Sequence, residues 1–319
     1  MNTKILALGD SWFHYPKALD RNGTILIDPN QDQIDLGVGN IPYYLTRKYG
    51  VNLLYNETTA EEIWEIVTDN EHPNGDNFGM CGEELMVMVS GYSRSAPTVK
   101  KDATPWLRLL INKISNYNTA AQLDNVIILV SAGGNDIADK NLLDFVAIDN
   151  TTYHPVKLQP AIDFAINVQL KNAYTQIFQQ ICTTFPNTKF DFIIHGYDYP
   201  PVNGRGLITS GAIGIAKSLQ RLGPGPWLKP YLNPNNIDTR SLCEDVMASM
   251  IDEFNTMLHG LTPTNDNCNI HYIDLRNTAD RNNKDACWAN ELHYDGVRFD
   301  AAASKFSTVI TEIMQQNNW

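Results

Sequence analysis

The chain has 319 residues, 43% of them hydrophobic and 19% charged, a globular composition with ample length for a large core. Its formal net charge of −12 opposes association with nucleic-acid phosphates and anionic membranes, and its basic residues are scattered rather than clustered. The cysteines Cys81, Cys182, Cys243, Cys268 and Cys287 are odd in number and show no zinc-ligand spacing, which predicts buried reduced thiols and no metal site.

"MNTKILALGD" runs directly into a strand, so no signal peptide is expected and a cytoplasmic location follows. No run approaches the ~18 apolar residues of a membrane span. No linker, low-complexity tract or repeat divides the chain. It reads as one domain, 1–319, with loop insertions at 14–40, 51–76 and 200–238.

In chain order, "KILALGD" predicts a short buried strand ending in a turn. "NIPYYLTRKYG" predicts a helix closed by Gly50. "NFGMCGEELMVMV" has a short β-like start, then Gly82, then a helix with Leu85 and Met88 on one face. "DNVIILVSAGGND" is the clearest strand, apolar on both faces as a covered parallel strand is. A helix is expected over 163–182, where Ile166, Leu170, Ala173, Ile177 and Ile181 share a face. "KFDFIIHGYDYP" is a further strand, followed by a long Gly- and Pro-rich stretch of the kind that serves function or moves. Residues 239–259 predict a helix with Leu242, Val246, Met250 and Phe254 inward and Gly260 past its end. The strand "CNIHYIDLR" and a final helix with Ala302, Phe306, Val309 and Ile313 on one face complete the chain. Alternating strands and helices argue for an α/β sandwich around a mostly parallel sheet.

Such sheets bind ligands beyond the carboxyl ends of their strands. Three predicted strands end in polar clusters: Gly9-Asp10-Ser11, Gly133-Gly134-Asn135-Asp136 and His195-Gly196-Tyr197-Asp198. Ser11 at a strand-to-turn break could expose a nucleophilic hydroxyl, and Asn135 could donate its amide to a substrate oxygen. His293 in "WANELHYDGVRF", between the last strand and last helix, could take a hydroxyl proton. Taken singly, each has a plainer reading: a cap for the next segment, an Asn in a turn, a histidine on a surface loop. Trp12, Tyr197, Asp198 and Trp227 are candidates for substrate contact, or else core and rim side chains. A nucleotide or phosphate binder would use "GDS" and "SAGGND" as anion loops, but the chain lacks GxGxxG and a P-loop Lys-Ser/Thr pair.

Together, "GDSW", the block around Gly82, "GGND" and "NELH" resemble, in order and spacing, the SGNH hydrolase superfamily of GDSL-type esterases and lipases. The resemblance implies a flavodoxin-like three-layer α/β/α sandwich and cleavage of a carboxylic ester through an acyl-serine, with no cofactor and a small-molecule or acylated substrate. It implies Ser11 as nucleophile, His293 as base, and Ser11, Gly82 and Asn135 as oxyanion donors. The rival glycine-block segment, "LYNETTAEEIWEIV", carries Glu57 where the glycine belongs. One position departs from the pattern. The family has Asp three residues before its histidine, and here Asn290 stands there. Three readings follow: a Ser-His dyad steered by Asn290 or a backbone carbonyl, help from Glu291 or another acid, or a weakened hydrolase that binds a sugar or acyl ligand without turnover.

Overall fold

The computed structural model describes residues 3–10, 12–13, 41–51, 77–79, 84–94, 105–206, 225–233, 240–263 and 265–318. Among the described residues five strands form one sheet: β1 (Thr3–Gly9), β2 (Asn77–Gly79), β3 (Asn125–Ser131), β6 (Lys189–His195) and β7 (Cys268–Ile273). Their order is β2-β1-β3-β6-β7, and every pairing is parallel. Between β3 and β6, β4 (Val146–Ile148) and β5 (Pro155–Lys157) form a small antiparallel hairpin. All seven residues of β3 are buried. Each fully buried Ile, Leu or Val there contributes about 1.5–3 kcal/mol relative to exposure, and double-sided burial is what its unbroken apolar run requires.

The helices are α1 (Ile41–Arg47), α2 (Leu85–Ser90), α3 (Trp106–Ala120), α4 (Gln159–Phe164), α5 (Lys171–Thr184), α6 (Lys229–Leu232), α7 (Arg240–His259), α8 (Lys284–Cys287) and α9 (Gly296–Gln316). They cover both sides of the sheet. Phe192 packs on Phe178 of α5 with ring centroids 4.7 Å apart, and His195 packs on Phe306 of α9 at 5.5 Å. Side chains three apart on a strand point to opposite faces, so α5 and α9 lie on opposite sides of β6. Helix α1 packs on α9, while α2 bridges α3 and α5 on the other side. This is the expected three-layer α/β/α arrangement around a parallel sheet.

Two helix expectations need adjustment. The helix expected over 163–182 begins earlier, because α4 runs through a π-helical turn, Ala165–Leu170, into α5. Pro160 suits that start, and the apolar period misses it because Phe164 on the first turns is 56% exposed. On α7, Leu242 is exposed, not inward; Cys243 turns in instead and donates its thiol to the Leu232 carbonyl at 3.4 Å. Cys182, Cys243, Cys268 and Cys287 are buried and take part in no disulfide. Cys81 and most of the expected insertions lie outside the described residues. Among the described residues no helix is long and apolar enough to cross a membrane.

Candidate active site

Parallel pairing brings the carboxyl ends of the strands to one edge. Gly9 is the register partner of Ser131, and Val130 of Ile194, so the loops after β1, β3 and β6 leave side by side. The Asp10 amide donates to the Ser131 carbonyl at 2.8 Å, and the Phe13 amide to the Asp10 carbonyl at 3.1 Å. That second bond closes a turn between Asp10 and Phe13. Ser11 itself lies outside the described residues.

Asp10 is the anchor of this turn. Its Oδ1 accepts from the Trp12 amide at 3.0 Å and the Ser131 hydroxyl at 2.8 Å, and its Oδ2 accepts from the Tyr197 hydroxyl. Burial pushes its carboxyl up to about 6, the hydrogen bonds opposing. The Tyr197 ring stacks on Phe254 and lies against Gly134, where a Cβ would come within 2.8 Å of it. Gly134 therefore lets the ring approach. Its neighbour Gly133 has φ +98°, which favours glycine, and presses on Phe254.

Asn135, half-buried, accepts at its carbonyl from Asn141 Nδ2 at 3.0 Å. The next residue, Asp136, is fully buried and caps α2, accepting from the Leu85 amide at 2.6 Å and the Met86 amide at 3.4 Å. Burial, with repulsion from Glu84, pushes its carboxyl up to about 7. The helix following the Gly82 block is thereby tied to the residue following Asn135. Gly82 lies outside the described residues.

The loop 288–294 folds back on itself through the Trp288–Tyr294 bridge and a bond from the Ala289 amide to the His293 carbonyl, 2.9 Å. Inside it, Asn290 Oδ1 accepts from the amides of Leu292 (2.9 Å) and His293 (3.0 Å) and from His293 Nδ1 (2.9 Å). Two backbone donors on one atom require it to be the oxygen of the carboxamide, so Nδ1 carries the proton and Nε2 keeps its lone pair. His293 is not on the surface, as the plainer reading had it: it is fully buried, and burial pushes its imidazole down to about 3. Trp227 stands edge-on to its ring at 6.1 Å.

Glu291 points elsewhere. Its carboxylate accepts from four backbone amides, those of Gly204, Trp227, Leu228 and Lys229, at 2.7–3.2 Å. It pins two segments of the Gly/Pro-rich stretch to the histidine loop. Asp198 is likewise saturated, with Tyr199 and Asn277 amides on Oδ1 and the Ala279 amide and Tyr294 hydroxyl on Oδ2. Trp12 is 3% exposed, packs on Tyr294 and Tyr197, and donates its indole N–H to the Leu292 carbonyl at 3.0 Å. Residues 12 and 292, next in sequence to Ser11 and His293, are thus bonded to each other.

One cavity collects these loops: Asp10 and Trp12, Gly134 and Asn135, Tyr197 and Asp198, and Glu291 with Leu292 all line it. Among the described residues no group of three or more His, Cys, Asp or Glu side chains is arranged to hold a metal ion.

No protein-family model matches this chain. No curated protein matches it in sequence either. Among solved structures, it is similar to a protein from Arabidopsis thaliana with 8% identity, 98% of this chain and 99% of that one covered, and a TM-score of 0.40. An extracellular lipase from Streptomyces rimosus aligns with 12% identity over 87% of this chain and 82% of its own, with a TM-score of 0.29.

Sequence reasoning did not find the anchoring roles of Ser131, Asp136 and Tyr197. Ser131 and Asp136 flank the Gly133-Gly134 turn, which was the available signal. The bond from Tyr197 to Asp10 spans 187 residues of chain and leaves no local trace.

Proposed function

We propose that the chain is a serine hydrolase of carboxylic esters of the SGNH type. Ser11 is the nucleophile, His293 the general base, and Asn290 the residue that holds the imidazole. The Ser11 and Gly82 amides and the Asn135 side chain form the oxyanion hole. His293 Nε2 takes the Ser11 proton as Oγ attacks the ester carbonyl. The tetrahedral oxyanion collapses, the ester C–O bond breaks, and the imidazolium gives its proton to the departing alcohol. Water, deprotonated by the same nitrogen, then releases the acid and restores the serine.

The observation that carries this reading is the pair of contacts at the histidine loop. Asn290 Oδ1 sets the tautomer by accepting from Nδ1, and the loop's Leu292 carbonyl accepts from Trp12, the residue after Ser11. The test is labelling by a fluorophosphonate carrying small alkyl groups, with hydrolysis of p-nitrophenyl acetate. Both occur in wild type and vanish in Ser11→Ala; a folded wild type that neither labels nor hydrolyses overturns the proposal.

A second reading, a ligand-binding protein without turnover, is favoured by Asn290 itself. A carboxamide orients the ring but brings no negative charge to an imidazolium, and losing that charge costs up to about 10⁴ in rate in trypsin, where the tautomer is also wrong.

A further inference from the structure

The cavity at the loop edge has a volume of about 40 Å³. Five of its described lining residues are apolar side chains: Ile137 and Ala138 just beyond Asn135, Leu228, and Met247 and Ile251 of α7. Met247 and Ile251, four residues apart, reach it from consecutive turns, and they are 3% and 4% exposed.

The acidic side chains among its lining residues are already engaged by the protein. Asp198 and Glu291 each accept four hydrogen bonds from the protein, and Asp10 accepts three. No lysine or arginine is among the described lining residues. A charged group placed there finds no ionic partner, and an anion also meets three carboxyl groups, whereas Asn135 and the Trp288 indole N–H, the latter buried without a partner among the described residues, can serve a single uncharged oxygen such as the ester carbonyl. Size narrows the guest further. One water-sized group occupies about 10–15 Å³ on this scale, so the space takes roughly three such groups.

On the ester-hydrolase reading above, we infer that the acyl half of the substrate is a short, unbranched, uncharged chain of about two to four carbons, seated against Ile137, Ala138, Met247 and Ile251. The acyl half stays covalently held while water enters, whereas the alcohol must leave. A position against buried side chains suits the first.

The experiment measures kcat/KM on p-nitrophenyl acetate, butyrate and octanoate for wild type, Met247→Ala and Ala138→Val, beside fluorophosphonate labelling controlled by Ser11→Ala. Wild type prefers acetate or butyrate to octanoate by at least about tenfold, the scale on which apolar pockets read chain length. Met247→Ala raises the octanoate-to-acetate ratio about tenfold, and Ala138→Val lowers the butyrate-to-acetate ratio by a similar factor. Ala138→Val adds volume and deletes no core contact, so it decides the matter if Met247→Ala fails to fold. Labelled protein that prefers octanoate, or whose ratios ignore the substitutions, overturns the pocket assignment and leaves the hydrolase reading standing. Folded protein that labels and hydrolyses nothing overturns both.

Discussion

His195 closes β6, and His293 lies in the loop before α9. Both are fully buried, and burial holds both imidazoles below the usual histidine range, His195 at about 4 and His293 at about 3. They differ in what fixes the ring. His195 Nδ1 bonds the carbonyl of its own neighbour, Gly196, at 2.9 Å, and its buried Nε2 has no partner. Trp12, Phe13, Tyr197 and Phe306 enclose it. His293 Nδ1 is held instead by the side chain of Asn290, in a loop that Trp12 ties to the 10–13 turn. Burial alone therefore does not mark a base. On the proposed reading, the orienting partner and the loop's connection to the other strand ends make His293 the base.

The largest effect separates the two rings by activity. His293→Ala lowers kcat on p-nitrophenyl acetate by about 10⁴-fold or more, roughly 5 kcal/mol in the barrier, whereas His195→Phe keeps it at the wild-type order of magnitude. Equal losses in both variants would break the comparison.

Next comes Glu291. Glu291→Gln costs roughly 3 kcal/mol in stability, read as a lower denaturant midpoint, because the new NH₂ faces two of the four backbone donors and leaves them without an acceptor. A loss below about 1 kcal/mol, the net value of one ordinary hydrogen bond, would show that this carboxylate is not the loop's anchor.

The third effect is a slope. The folded pKa of His195 is about 4, below its unfolded value, so the unfolded chain takes the proton first as pH falls. Stability present above about pH 6.5 is then lost toward pH 4 at about 1.4 kcal/mol per pH unit. His195→Phe removes this loss, and its stability relative to wild type climbs by that amount per unit across the window. Asp10 and Asp136, held up at about 6 and 7, act in the opposite sense in both proteins and cancel in the difference. Parallel stability curves for the two proteins would contradict the assignment.

The smallest effect sharpens the role of Asn290. Asn290→Asp offers a carboxylate to the same three N–H donors and raises the His293 pKa. It increases kcat about tenfold, well inside the 10⁴ that charge and tautomer together are worth in trypsin. The acid limb of the pH–rate profile moves upward with it. A fall in kcat would mean that this site is built for the neutral amide.

The frame was readable from the residues. The apolar runs of β1, β3 and β6 stand where "KILALG", "NVIILVS" and "KFDFIIH" predict them, and Gly50, at φ +66°, stands three residues past the end of α1. Within the site, "NELH" placed an acidic and an amide residue close to the histidine. It could not say which of the two turns toward Nδ1, and the neutral one does. Ser11 and Gly82 lie outside the described residues, so their placement rests on chain position beside Asp10 and before α2.

Chain chemistry alone set the alternation of apolar strands and amphipathic helices, since burial on two faces or one stripe is written in the period of the side chains. It also set the polar breaks at the strand ends, where glycines and short polar residues stop a strand. Only the folded backbone decided that Glu291 would satisfy four amides, that Asn290 would hold His293, and that Tyr197 would reach Asp10. Those choices depend on where a loop aims its N–H groups once distant segments have packed, and that direction is a property of three-dimensional neighbours rather than of local sequence.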